Sequence, residues 1–414
     1  MNHTPLLLQL VVILGTARIL GLILRYCGQP AVIGEMAAGI ILGPIVFGAI
    51  APQWHLQIFE PGSLGALNGL SKLGLVLFMF IVGAELRLPM GLRQQLVAAS
   101  WIGVLSVLAP MGLGLGTAAL LHPQLAPEGV TFWPFALFMA AAMSITAFPV
   151  LARILKDRAL THTALGRLAL TSAAVVDVFA WIMVALVVVL ASSGHDWSLF
   201  FQMLGGLLAL VLVIFLGLKP LIANLLARYA ADGRPEGAFL ATLLIGTFAC
   251  AYLTEILNVH PVFGAFLFGA CLPRDDRLLA ALIERIEYVA ILVLMPIFFA
   301  LAGLSTTSDA LSGAGLGALL LILAVAVFGK IAGGAAGARM AGQPWRMAFA
   351  IGSLMNARGM MELIVIKVGL DIGVIDNRVF TMLMVMAIVT TFMTGPLLTL
   401  FNARSTDQPN GRAA

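Results

Sequence analysis

Charge is scarce in this 414-residue sequence: Asp, Glu, Lys and Arg make up 10% of it, where an average soluble domain carries about 25%. That scarcity excludes a water-soluble globular enzyme. Cysteine is scarce too. Cys27, Cys250 and Cys271 are odd in number, lie in apolar runs and lack metal-ligand spacing, so no disulfide framework or zinc site is expected. The first apolar run has no basic segment before it and no small-residue cleavage signal after it, which reads as a retained helix rather than a signal peptide. Clustered His, a nucleophile beside a base and a phosphate loop are all missing. The run Gly112-Leu113-Gly114-Leu115-Gly116 has no strand before it and reads as close helix packing. Neither enzymatic chemistry nor a cofactor is expected.

What the sequence has is apolar length. Hydrophobic residues reach 61% and the mean hydropathy is +1.06. Apolar stretches fall at about 4–25, 30–50, 65–84, 95–121, 132–153, 164–192, 198–226, 237–255, 261–273, 281–303, 314–338, 346–369 and 379–402. A spanning helix needs about 20 such residues, and its backbone must satisfy its own hydrogen bonds in lipid. The pattern predicts an all-α polytopic membrane protein of about 13 transmembrane helices, one membrane domain over 1–402 with a short cytoplasmic tail at 403–414. Turn chemistry at Gly28-Gln29-Pro30, Pro61-Gly62 and Asp232-Gly233-Arg234-Pro235 marks several boundaries.

The net charge of +4 is topological and implies no nucleic-acid partner. Numbering the stretches one to thirteen with the N-terminus outside puts most of the 23 Lys and Arg on inward segments, Arg25 and Arg158 among them. Only Arg378 falls outside, and Lys72, Lys330, Arg358 and Lys367 lie within apolar stretches. The positive-inside rule then puts the N-terminus outside and the C-terminus in the cytoplasm; a bacterial-type inner (plasma) membrane is the expected location.

An odd count permits inverted repeats. Stretches two to six and nine to thirteen are offset by seven and run oppositely, pairing five with twelve. Both are interrupted, five by Ser144-Ile145-Thr146-Ala147-Phe148-Pro149 and twelve by Gly352-Ser353-Leu354-Met355-Asn356-Ala357-Arg358-Gly359. Broken segments at matching places point to a midplane ion site.

Asp177, near the middle of stretch six, is the central chemical group. A carboxylate at that depth costs several kcal/mol unless it is neutralised, paired or hydrated, so it holds either a proton or a monovalent cation. A structural ion pair is the bland alternative. Lys330, amid small residues in stretch eleven, is its candidate counter-ion or a cap on half-helix carbonyls. Ser144 and Thr146 offer oxygen ligands for a hard cation. Arg358 and Glu362, four apart on one helical face, either neutralise each other or join the ion path. Asn356 is a further candidate, and Glu35 either lines an inner vestibule or caps and packs locally. His122, His162, His195 and His260 lie at loops or helix edges and carry little weight.

Three stretches resemble the monovalent cation:proton antiporter superfamily, in the branch of plant cation/H+ exchangers and bacterial Kef-type potassium systems: Gly28 to Gly43 (GQPAVIGEMAAGIILG), Ser144 to Leu155 (SITAFPVLARIL) and Met355 to Val368 (MNARGMMELIVIKV). The resemblance runs from stretch two to stretch thirteen. It implies the Na+/H+ antiporter fold and a homodimer whose scaffold, about 4–84 and 198–303, holds a moving core, about 95–192 and 314–402. It also implies two crossed broken helices, Asp177 as the essential carboxylate and Lys330 as the family's basic residue. Relatives often carry Asn, Gln or a second Asp before that Asp; here the residue is Val176.

With one acid, the resemblance implies electroneutral exchange of Na+ or K+ for H+ by elevator-like alternating access. The alternatives are a channel-like potassium or cation efflux pathway and a sodium-coupled organic anion transporter on a related fold. Kef-like relatives often carry a nucleotide-binding domain after the last helix. The chain stops about a dozen residues past that point, so regulation, where present, is expected from a separate subunit.

Overall fold

The computed structural model describes residues 5–85, 93–161, 163–193, 197–229, 237–257, 259–273 and 283–401. The tail at 403–414, the Asp232 to Pro235 turn, His162 and His195 lie outside the described residues. Described elements are helical throughout. The first half of the chain forms α1 (Leu6–Tyr26), α2 (Ala31–Leu42), α3 (Phe47–Ile50), α4 (Pro52–Ile58), α5 (Gly65–Glu85), α6 (Arg93–Leu125), α7 (Phe132–Ser144), α8 (Phe148–Asp157) and α9 (Ala164–Ser193). The second half forms α10 (Trp197–Leu212), α11 (Lys219–Tyr229), α12 (Gly237–Ile256), α13 (Pro261–Ala270), α14 (Met295–Leu304), α15 (Ala314–Met340), α16 (Trp345–Met355), α17 (Met360–Asp371) and α18 (Asn377–Leu400). A π-helical turn over Val213–Leu218 joins α10 to α11.

Among the described residues, ten helices are long and apolar enough to cross a membrane, and eleven if the bent pair α16 and α17 counts as one span. The chain is a multi-pass membrane protein. Three of the thirteen expected stretches are not single long helices, the bent pair of stretch twelve being the first. Stretch five divides into α7 and α8. Stretch nine is the ten-residue α13, about 15 Å long and half a bilayer core. Pro261 opens α13 and its last carbonyls are closed by the Cys271 N–H, which fixes its length.

The helices sort into two compact units. The first draws on the described residues of Met1–Ile19, Ala38–Arg87 and Ala185–Ser305, the second on those of Leu20–Ala37, Leu88–Val184 and Thr306–Ala414. Within the first, α5 packs on α13 and α14, and α12 packs on α13. Gly83 and Gly269 let α5 and α13 touch through their backbones, since a Cβ on either would collide with a carbonyl of the other helix.

Within the second unit α15 is the hub, packed on α6, α16 and α18, while α7 packs on α6. Small residues set this arrangement. A Cβ at Gly329 would lie 2.9 Å from the Pro110 Cα of α6, one at Gly337 would lie 2.6 Å from the Ile102 Cα, and one at Gly333 would lie 2.9 Å from the Ala109 Cβ. Spaced four apart, these three glycines form one stripe pressed onto α6. On a neighbouring face, Gly334 lies against Gly352 of α16, where an added Cβ would be 2.8 Å from the Gly352 Cα. Lys330 is thus carried on a helix clamped from two sides.

Gly333→Val is expected to force α15 off α6 and lower stability by about 1–3 kcal/mol, seen as a lower unfolding midpoint in detergent. Gly317→Val, at a position with open space around its Cα, is expected to leave the midpoint unchanged.

Candidate functional site

The second unit contains two helix breaks, and they meet. Between α7 and α8 the backbone is extended at Ile145 (φ −70°, ψ 142°) and Ala147 (φ −89°, ψ 98°). Between α16 and α17 the chain opens over residues 356–359 and bends by 47°. Ala147 N–H donates to the Ala357 carbonyl at 3.0 Å, so the two open segments bond directly. Thr146 Oγ1 donates to the Met355 carbonyl at 3.0 Å, closing the end of α16. Gly359 is small because Val150 of α8 occupies the place its side chain would fill.

A helix that stops inside a bilayer leaves its last carbonyls without donors, and lipid supplies none. The end of α7 is satisfied by two cations. Arg358 Nη1 donates to the Ala142 carbonyl at 2.8 Å and Nη2 to the Met143 carbonyl at 2.6 Å. Lys330 Nζ donates to the Ser144 carbonyl and, at 2.7 Å, to Thr146 Oγ1. Basic groups at a helix C-terminus also oppose the negative end of its dipole. Both side chains have no exposed surface. Of the two roles open to Lys330 from the sequence, the carbonyl cap is the one its hydrogen bonds make.

Arg358 has a second partner. Its Nη1 lies 2.7 Å from Glu362 Oε1, an i,i+4 pair in which both side chains are wholly buried. Thr391 of α18 holds the backbone of the same residue: its hydroxyl accepts from Arg358 N–H at 2.8 Å and donates to the Arg358 carbonyl at 2.7 Å. Asn356 Nδ2 donates to the Thr390 carbonyl at 3.2 Å. Asn356 Oδ1, Arg358 Nε and Glu362 Oε2 are buried without a protein partner.

Asp177 sits on α9, about 20 Å from that helix's start, with 3% of its surface exposed. Its carboxyl lies near the Phe148 N–H, the first amide of α8, and within electrostatic reach of Lys330. Pro149 follows and brings no N–H of its own, so Phe148 supplies the leading donor of that half-helix. The acid therefore faces the positive end of α8 while the two cations face the negative end of α7.

The remaining candidates are placed as follows. Ser144 Oγ donates to the Ala140 carbonyl at 2.6 Å, within its own helix, with the Val107 carbonyl at 3.3 Å. Thr146 is at the crossing, already holding Lys330. Val176 is buried toward α6, where a Cβ at Gly103 would lie 3.6 Å from its Cγ2, so the position before Asp177 is an apolar helix contact. Glu35 is buried on α2, outside the two breaks. His122 bonds the Val130 carbonyl at 3.2 Å between the rings of Phe132 and Phe135, a loop-packing role. Thr390 and Thr391 of α18 carry the second break and escaped the sequence reading. Their signal was two adjacent hydroxyls in an otherwise apolar stretch.

Two broken spans crossing beside a buried acid and buried cations are the arrangement expected in a secondary ion transporter. Comparison with known proteins agrees. The model of the sodium/hydrogen exchanger family, transmembrane, matches residues 10–402. The chain is 40% identical over 395 residues to the Na+/H+ antiporter NhaS4 of Synechocystis sp., covering 95% of this chain and 96% of that protein. It is 37% identical to cation/H+ antiporter 17 of Arabidopsis thaliana and 36% identical to K+/H+ antiporter 1 of Saccharomyces cerevisiae, covering 95% and 96% of this chain. The chain spans about half the length of these last two, 48% and 46%. The sodium proton antiporter MjNhaP1 of Methanocaldococcus jannaschii shares the fold, with a TM-score of 0.63 at 15% identity over 97% of this chain and 100% of that one. The chain belongs to the sodium/hydrogen exchanger family.

Removing one half of the buried pair strands the other. Glu362→Gln is expected to cost about 3–5 kcal/mol by leaving the Arg358 guanidinium uncompensated, read as a lower denaturation midpoint. Lys367→Gln, which removes the partly exposed pair with Asp371 at 2.6 Å, is expected to cost at most about 1 kcal/mol.

Proposed function

We propose that this member of the family exchanges Na+ or K+ for H+ at Asp177, one cation for one proton, with the second unit moving as the core against a scaffold formed by the first. The observation that carries this reading is a single deeply buried carboxyl set against the Phe148 amide at a helix break. Arg358 and Glu362 cancel each other's charge and Lys330 is committed to the end of α7. Asp177 is then the one site in this group where a proton and a cation compete.

Cation binding expels the proton, and protonation expels the cation. With a proton or a cation bound the core carries the same charge, so the two loaded forms cross alike; empty, the carboxylate is bare, at a cost of several kcal/mol in the bilayer. The empty core therefore stays on its side, which couples the two fluxes. Each direction carries one positive charge, so exchange moves no net charge.

The Ser144 and Thr146 oxygens serve as cation ligands in this scheme. A cation taking Thr146 displaces Lys330 from it, so Lys330 senses occupancy. The apolar Val176 leaves Asp177 without a neighbouring amide. A cavity of about 300 Å³ lined by Arg167, Leu168, Thr171, Gln343 and Met347 supports access from one side, since Thr171 precedes Asp177 by about 9 Å along α9. With the N-terminus outside and the C-terminus cytoplasmic, that cavity opens inward. The chain works as a homodimer in an inner (plasma) membrane of bacterial type.

Asp177→Asn is expected to abolish cation-driven pH change in proteoliposomes while keeping the wild-type elution volume and unfolding midpoint; undiminished exchange contradicts the proposal. The wild-type rate is expected to be the same at 0 mV and at an imposed potential of about 100 mV, where one uncompensated charge would feel about 2.3 kcal/mol. A potential-dependent rate contradicts one-for-one exchange. A turnover orders of magnitude above that of a carrier, with no proton counterflow, marks a channel instead.

A further inference from the structure

A second polar cavity lies in the same unit, away from the helix crossing. It measures about 390 Å³ and is lined by Arg25, Gly28, Gln29, Pro30, Ile154, Arg158 and Gly395. Three parts of the chain converge there: the turn between α1 and α2, the C-terminal end of α8, and α18. Two guanidinium groups face it, and among the described residues that line it there is no carboxylate.

Among the described residues, neither arginine has an ion-pair partner. Arg25, exposed in the last turn of α1, makes no hydrogen bond or ion pair among the described residues. Arg158, the C-cap of α8, spends Nη1 on the Thr399 hydroxyl at 3.0 Å, a neutral partner. Its other terminal nitrogen converges with the buried Gln29 amide at Gly395, where an added Cβ would lie 3.0 Å from Arg158 Nη2 and 3.7 Å from Gln29 Nε2. Glycine at 395 leaves the space in which these two donors meet. Gln29 Nε2 has only a long 3.4 Å contact with the Phe392 carbonyl. The left-handed turn at Gly28 (φ 75°) brings the start of α2 to the cavity wall, adding the positive end of a 12-residue helix.

We infer that this cavity is a binding site for a phosphate group. Arginine forks match a tetrahedral oxyanion with paired hydrogen bonds, and two forks with no carboxylate partner among the described residues, an amide and a helix N-terminus supply more donors than any neutral occupant would use. The depth fits as well. Arg25 ends a spanning helix beside Tyr26, which is 96% exposed, and an exposed aromatic beside a basic residue at a span's end marks the headgroup level. A phosphodiester headgroup of an anionic lipid and a soluble phosphate share the chemistry recognised here.

The test uses the purified full chain in neutral detergent and follows its unfolding midpoint at constant ionic strength. Inorganic phosphate replaces chloride in one arm; phosphatidylglycerol replaces phosphatidylcholine in the other. A rise of several degrees in either arm is expected, from ligand binding to the folded state alone. A rise with phosphate only assigns a soluble anion; a rise with phosphatidylglycerol only, a lipid headgroup. Arg25→Gln, which removes a side chain without partners among the described residues, is expected to weaken the response at least tenfold in the concentration required, and Arg25→Gln with Arg158→Gln to remove it. Arg339→Gln, whose side chain stacks on Trp345, is expected to keep the full response. The inference is overturned by no rise in either arm, by a full response in the double variant, or by equal loss in Arg339→Gln.

Discussion

The end of α7 is the constraint on which the second unit is built. A helix that stops in hydrocarbon presents open carbonyls, and each left unsatisfied there costs several kcal/mol. Three of them, on Ala142, Met143 and Ser144, are met by Arg358 and Lys330. Meeting them places two cations where charge is least welcome, and the acids follow. Glu362 lies one turn after Arg358 and compensates it; Asp177 comes from α9 and faces Lys330 and the start of α8. The break, the cations and the acid are one solution to one problem, and the proposed exchange chemistry grows out of it.

That logic assigns different work to the two acids. Glu362 is a fixed partner, tied through Arg358 to Thr391 and to both ends of the crossing. Asp177 lies near one backbone amide and an electrostatic neighbour, a looser arrangement in keeping with the exchange role proposed for it. The glycine stripe of α15 serves the same end by a different route. By clamping that helix against α6 and α16, Gly329, Gly333, Gly334 and Gly337 fix where the long Lys330 side chain starts, so its reach to the Ser144 carbonyl is set by backbone packing.

Much of this was legible in the sequence because lipid enforces simple rules. Apolar length gave the spans, and the polar interruptions at 144–149 and 352–359 gave both breaks to within a few residues. The i,i+4 spacing of Arg358 and Glu362 gave their pairing. The misses have physical causes. Stretch nine, 261–273, is apolar throughout and counts as a span on that ground, although its length already falls short of the about 20 residues a span needs. Lys330 was equally suited to capping carbonyls and to balancing Asp177, since both need a buried ammonium; distance alone decides. Backbone groups carry no letter in a sequence, so the Phe148 amide and the Ala142 and Met143 carbonyls were invisible, although Pro149 hinted at a helix start. Thr390 and Thr391 blend into an apolar stretch until the chain segment they hold is seen beside them.

The central claim is competition between two cations for one carboxyl, and proton release on cation binding measures it without any transport step. Adding Na+ or K+ to the purified chain in weakly buffered detergent is expected to liberate one proton per cation bound. The apparent cation affinity is expected to weaken tenfold per pH unit on the acid side of the profile, and both effects to vanish in Asp177→Asn. Cation binding that releases no proton, or release that persists in the Asn variant, would contradict the account.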